Sequence, residues 1–195
     1  MKFYYLIVVL FLLFSCKKTR DNTDAIKEIP TSYVLRSVAN YKGDTVYVKG
    51  KKFSGFLYQC YSKTIDTFAI QSYHNGLKKG ISKKWYRDHK LMELRCFSEG
   101  KKNGQQVAYW NNGNKRFEYI AENDAYKDEM REWDEKGMLI HLAHYNKDGQ
   151  EEGVQKLWYS NGKIRANYVI IDGKRFGLLG TKNCVNVSDS IFINK

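Results

Sequence analysis

The sequence predicts an all-β fold, an elongated antiparallel sheet built from stacked β-hairpin repeats. Three observations point there. A pair of glycines four residues apart recurs along the chain, at Gly76/Gly80, Gly100/Gly104, Gly149/Gly153 and Gly173/Gly177. An aromatic residue stands five positions after the second member of the first three pairs, at Trp85, Tyr109 and Trp158. A turn residue follows soon after, at His89, Gly113 and Gly162, and two of these read Asn-Gly. Self-similarity at a fixed period of this length is the mark of a repeat array, in which each unit stacks on the next.

The first glycines fall at 76, 100, 149 and 173, so one interval is twice the others. The long interval hides a degenerate unit, with Asp124 and Asp128 in the glycine positions, Trp133 five residues later and Gly137 at the turn. Each unit reads as a hairpin. Its first strand runs through ISKKWY, QQVAYW or VQKLWY, and its second through LMELRCF, KRFEYI or KIRANYVI. Asn112-Gly113 and Asn161-Gly162 suit a type I′ turn, which needs positive φ at both central residues and matches the twist of a hairpin.

Stacked units bring equivalent residues into rows. Trp85, Tyr109, Trp133 and Trp158 are expected to form one aromatic row, a candidate binding surface for sugars or lipids as well as a candidate core. Tyr86, Trp110 and Tyr159 are expected on the opposite face, because successive strand residues point to opposite sides, with Asp134 interrupting them.

The segments YHNGLKKGISKKWY, FSEGKKNGQQVAYWNNG and YNKDGQEEGVQKLWYSNGK resemble the MORN repeat, in the variant found in the bacterial YwqK-type antitoxin family. The resemblance covers about Val48 to Gly177, with a partial leading unit VKGKKFSGFLY whose Gly50 and Gly55 lie one residue further apart. It implies an antiparallel sheet used for contacts with proteins or lipids. The antitoxin label implies neutralisation of a partner toxin.

The N-terminus sets the expected compartment. Lys2 precedes an unbroken apolar run, Phe3 to Phe14. That run is shorter than the about 20 residues a membrane-spanning helix needs, and it fits the core of a signal peptide. Leu13-Phe14-Ser15-Cys16 resembles a bacterial lipobox, which makes residues 1–15 a cleaved signal peptide and Cys16 the site of lipid attachment, with diacylglycerol on its sulfur and palmitate among the expected acyl groups. Residues 16–30 then read as lipidated cysteine and tether, 31–177 as repeats and 178–195 as a C-terminal cap. Lys17, rather than an acidic residue, after the lipid site favours the outer membrane of the cell envelope.

With a formal net charge of +12 the chain is basic, but the cations are spread through turns and strands. Such a distribution suits a solvated surface or an anionic envelope component, and no nucleic-acid partner is expected. Besides Cys16 there are Cys60, Cys96 and Cys184, an odd set without a C-x-x-C pair. Repeats advance the sheet by about 10 Å each, so Cys60 and Cys184 should lie on the order of 50 Å apart and not bond within one chain.

No catalytic set, metal site or cofactor motif is expected. His141 and His144 lie three apart on a strand and so face opposite sides. His74 and His89 read as turn residues, as do Asp148, Glu151 and Glu152 around DGQEEG, which lack the spaced ligands of an EF-hand loop. The Gly-x-x-x-Gly turns lack the Gly-Lys-Ser/Thr ending of a phosphate loop. The expected function is a non-enzymatic, membrane-anchored scaffold for a protein or envelope component. Its rivals are an antitoxin-like neutraliser and an envelope enzyme or redox protein using Cys184, whose thiol pKa Lys182 would lower.

Overall fold

The computed structural model describes residues 29–180. The signal peptide, Cys16, most of the tether and Cys184 with the rest of the cap from residue 181 lie outside the described residues. The chain is all-β, as the repeats predict. Its main sheet has 13 strands. β1 (Tyr33–Leu35) lies at one edge, parallel to β5 (Gly55–Cys60). β6 (Thr67–His74), the short β7 (Leu77–Lys78) and β8 (Gly80–Trp85) follow. The sheet then continues antiparallel in chain order through β9 (Leu91–Ser98), β10 (Lys101–Tyr109), β11 (Lys115–Glu122), β12 (Ala125–Trp133), β13 (Leu139–Tyr145), β14 (Glu151–Trp158), β15 (Ile164–Ile171) and β16 (Lys174–Leu178).

One feature departs from the single-sheet expectation. A separate three-stranded sheet comprises β2 (Asn40–Lys42), β3 (Thr45–Val48) and β4 (Lys51–Lys52). The leading unit VKGKKFSGFLY is therefore split. Its Lys49-Gly50 turn closes the small sheet, while Gly55 opens a strand of the large one. The extra residue between Gly50 and Gly55 accompanies this change of sheet. Backbone bonds join the two sheets, from Val46 N to Gly76 O (2.8 Å) and from Gly76 N to Phe53 O (2.7 Å).

The two glycines of each pair have different tasks. The first sits in a tight turn. Asn75-Gly76, Glu99-Gly100, Asn123-Asp124 and Asp172-Gly173 each carry two consecutive positive φ values, as a type I′ turn requires. The second glycine is not a turn residue. Gly80, Gly104, Asp128 and Gly153 lie where one strand gains two residues over its predecessor, a β-bulge larger than the common one-residue kind. Positive φ persists there even in Asp128 (59°), which fixes the degenerate unit in register. Gly177 departs from the set, since β15 and β16 pair through it without a shift.

The Asn-Gly expectation is corrected. Gly113 and Gly162 have positive φ (92° and 80°), but Asn112 and Asn161 do not. Gly113 N donates to Trp110 O and Trp110 N to Asn114 O, so the loop is a three-residue connection ending in a left-handed glycine. His89, Gly137 and Gly149 close loops of the same type. The Asn112 side chain serves another end, donating to Asn114's neighbour across the array at Glu135 O (2.5 Å).

Candidate functional site

The bulges decide which polar side chains are buried. A bulge leaves strand carbonyls without ladder partners, and a buried carbonyl needs a donor. Gln106 and Gln155, each two residues after a bulge glycine, supply one. Gln106 Nε2 donates to Cys96 O (2.9 Å) and Gly104 O (3.2 Å), and Gln155 Nε2 to His144 O (2.8 Å). Ser72 does similar work at the Gly80 bulge, with its Oγ on Lys79 O (2.5 Å) and Ile81 O (2.9 Å). Met130 occupies the glutamine position in the degenerate unit, and Ser82 occupies it in the unit of Gly80. Ser82 is buried, and its short side chain leaves Oγ without a partner.

Strand registry places Ser82, Arg95, Gln106, Tyr119, Met130, Ala143, Gln155 and Tyr168 in one ladder across one face. This face carries three zones. Beside the small sheet lies an apolar core of Val46, Phe53, Leu57 and Tyr73. Further along, Tyr119, Ala121, Met130 and Ala143 form a second cluster, with Phe117 and Tyr145 packed against it. Aromatic rings lie over the small residues there. Tyr119 meets Tyr126 at 4.5 Å, and Tyr126 stacks on Tyr145 at 4.6 Å. Between the two zones is a polar pocket of about 230 Å³, whose lining includes Ser82, Lys78, Lys84, Glu93, Arg95 and Lys102.

The pocket is electrostatically lopsided. Glu93 is bound by Lys84 (3.1 Å) and Arg95 (3.2 Å). Burial pushes its carboxyl upward, but the two cations outweigh this and hold its pKa below the ordinary value. Arg95 is further fixed by donating Nη1 to Tyr119 Oη (2.9 Å) and by lying 4.5 Å over the Phe117 ring. Lys78 sits 5.0 Å over the Phe97 ring. Burial, together with the charges of Arg36 and Lys84, lowers its pKa, with Asp44 and Glu93 opposing.

The predicted aromatic row exists as a register but does not form the core. Trp85, Tyr109, Trp133 and Trp158 end β8, β10, β12 and β14, all half-buried. The next residues are corrected more strongly. Instead of lining the other face, Tyr86 and Trp110 open the loops and hydrogen-bond to the following unit. Tyr86 Oη donates to Tyr109 O (2.8 Å) and Trp110 Nε1 to Trp133 O (3.0 Å). Tyr61 extends this series, its Oη bonding to Trp85 O (2.6 Å). Asp134, in the same position, turns its carboxylate to Met138 N (2.8 Å) instead. Cations cover some of these rings, with Arg87 over Tyr61 and Arg116 over Trp110.

His141 approaches Glu132 (3.4 Å), while His144 contacts Val154 O (2.9 Å) and Glu129 (3.1 Å), so registry puts them on opposite faces. His89 is in a turn, but His74 ends β6 and its Nδ1 is buried without a partner. Glu151 and Glu152 begin β14 rather than a turn, and only Asp148 remains in the loop. Cys60 is a free thiol, and Cys96 is buried, which raises its pKa. Among the described residues no group of three or more His, Cys, Asp or Glu could hold a metal, and no helix is long and apolar enough to cross a membrane. No protein-family model, curated protein or solved structure matches the chain.

Proposed function

We propose that the chain is a lipid-anchored, non-enzymatic scaffold of the bacterial cell envelope, attached through Cys16, whose repeat sheet holds a protein or another envelope component. The observation that carries the scaffold reading is the loop ladder. Tyr61, Tyr86 and Trp110 each bond to the backbone of the next unit, as do Asn112 and Asn114 to Glu135 O. Bonds between successive units resist their sliding and hinging. The array then offers broad, fixed faces rather than a deep cleft, and such surfaces suit partner binding. The anchor rests on the Leu-Phe-Ser-Cys signature after a short apolar run.

The test has two readouts in cells. Wild type should take up an alkyne-tagged fatty acid and fractionate with membranes, and Cys16→Ser should do neither. Label retained by Cys16→Ser overturns the anchor. A photo-crosslinking residue at Tyr126, half-way along the sheet, should give a discrete adduct in anchored protein. Anchored protein that gives no adduct there or at Tyr168 overturns the scaffold.

A further inference from the structure

We propose that the polar pocket lined by Ser82 binds a phosphate-sized oxyanion, held by the Lys78 and Lys102 ammonium groups and the Ser82 hydroxyl. This inference concerns a discrete site and stands independently of the scaffold reading.

The repeat would otherwise place a glutamine in this pocket. In two other units the position two residues beyond the bulge glycine is glutamine, and its amide fills the face and satisfies the bulge carbonyls. Ser82 stands in that position but is three heavy atoms shorter. The room left over is part of the pocket of about 230 Å³, several times the roughly 30 Å³ share of one water. A buried hydroxyl without a partner is costly in an otherwise paired interior, and Ser82 Oγ has none. It is one of three such side-chain atoms among the described residues, and the one that belongs to a residue lining this pocket.

The charges supply the sign of the ligand. Glu93, the carboxylate in the lining, is already shared by Lys84 and Arg95, and the second half of the Arg95 fork is on Tyr119. Lys78 and Lys102 have no ion-pair partner among the described residues, and both line the pocket. Lys78 is half-buried, and the charges of Arg36 and Lys84 disfavour its ammonium while those of Asp44 and Glu93 oppose them. An anion between Lys78 and Lys102 relieves that crowding and accepts the orphaned Ser82 proton. Two ammonium groups and one hydroxyl fit the several acceptor oxygens of a phosphate better than they fit a neutral polar group. Phe97, under Lys78, offers an apolar neighbour for whatever carries the phosphate.

The experiment uses the full-length chain in detergent at physiological salt. Calorimetry with inorganic phosphate, and with detergent micelles carrying phosphatidic acid or, as control, phosphatidylcholine, separates a free phosphate from a lipid headgroup. Saturable binding of either probe is expected, and saturation with neither overturns the site. Ser82→Gln, which installs the side chain of the sister units, should weaken binding at least tenfold while leaving the melting temperature equal or higher. Lys78→Gln and Lys102→Gln should each weaken it several-fold, and Lys136→Gln, in a distant loop, should not. Equal weakening by Lys136→Gln, or undiminished binding by both Ser82→Gln and Lys78→Gln, means general attraction to a basic surface and overturns the proposal. Ser82→Ala separates a ligand role from a structural one. Removing an unpaired hydroxyl should raise the melting temperature of the empty protein and lower affinity; a fall in both marks the hydroxyl as structural.

Discussion

The two ends of the array solve the same problem differently. Around β5 and β6 a second sheet lies over the first, and large side chains are sealed between them. Leu57, Val46 and Tyr73 are each only 1% exposed. From β9 onward there is no second layer among the described residues. Burial there falls on small residues, with Ala121 and Ala143 at 1% and 0% exposed, and on the hydrogen-bonded glutamines of the bulges, with only the small Tyr119–Met130 cluster as an apolar centre. A single sheet has no facing layer to seal a large apolar core. It is held instead by paired bulges, loop-to-loop hydrogen bonds and cations over rings. Local bonding thus replaces depth of core, and the two regions should respond to different kinds of damage.

The largest effect is expected in the layered region. Tyr73→Ala should cost about 3–5 kcal/mol, because it leaves a large cavity between two sheets. The same truncation at Tyr126, which is 37% exposed, should cost about 1 kcal/mol, since mainly ring contacts are lost. Chemical denaturation measures both. Equal losses would mean that the bare repeats hide a core as demanding as the layered one.

Glycines give a second contrast. A Cβ on Gly76 would lie 2.6 Å from Thr45 Cγ2 and 3.1 Å from Val46 O, in the seam between the sheets, while one on Gly113 meets nothing within 4 Å. Both residues have positive φ. Gly76→Ala should therefore cost about 2–4 kcal/mol, from strain and clash together, and Gly113→Ala about 1–2 kcal/mol, from strain alone. Denaturant midpoints at constant slope would check this. A cost at Gly113 matching that at Gly76 would show that the loop, and not the seam, is the tighter constraint.

These positions also explain what was legible in the sequence. Fold class and repeat register were readable because turn and bulge backbones demand positive φ, and glycine marks such places wherever they recur. What was not readable is carried by residues that change between units. The core ladder passes through Arg95, Tyr119, Ala143 and Tyr168, with no identity shared along it from one unit to the next. The small sheet was hidden because its Gly50 turn imitates a leading repeat. The Asn-Gly turns were misread because loop length, not dipeptide identity, chose the turn type. Ser82 did have a signal, as the odd member of a position occupied by glutamine twice, but its meaning required knowing that the second glycine makes a bulge.

Breaking the staples should weaken the bare region by smaller steps. Trp110→Phe keeps most of the ring contact with Arg116 and removes the indole donor to Trp133 O (3.0 Å). A loss of about 0.5–1.5 kcal/mol is expected. Hydrogen exchange should show the loss at Trp133 and its loop, with β5 and β6 unchanged. Faster exchange in β5 and β6 as well would mean that the array unfolds as one unit and that the two regions are not separable.

The smallest effect is an acid-side one at the junction between the regions. Glu93 ionises more easily in the folded chain than its ordinary pKa of 4.5, because Arg95 and Lys84 outweigh the burial that opposes them. A carboxyl with a depressed folded pKa binds fewer protons folded than unfolded. Its contribution is therefore present above the unfolded value and is lost as pH falls through the folded one. Stability should decline as the solution is acidified from just above pH 4.5, and Glu93→Gln should flatten part of that decline. At neutral pH the same variant should be less stable than wild type, because Lys84 and Arg95 are then crowded without a counter-charge. Melting temperatures of both proteins from neutral to acid pH give the comparison. Parallel curves would show that Glu93 contributes equally to folded and unfolded chains, and that the junction is held by Arg95 through its rings and Tyr119 alone.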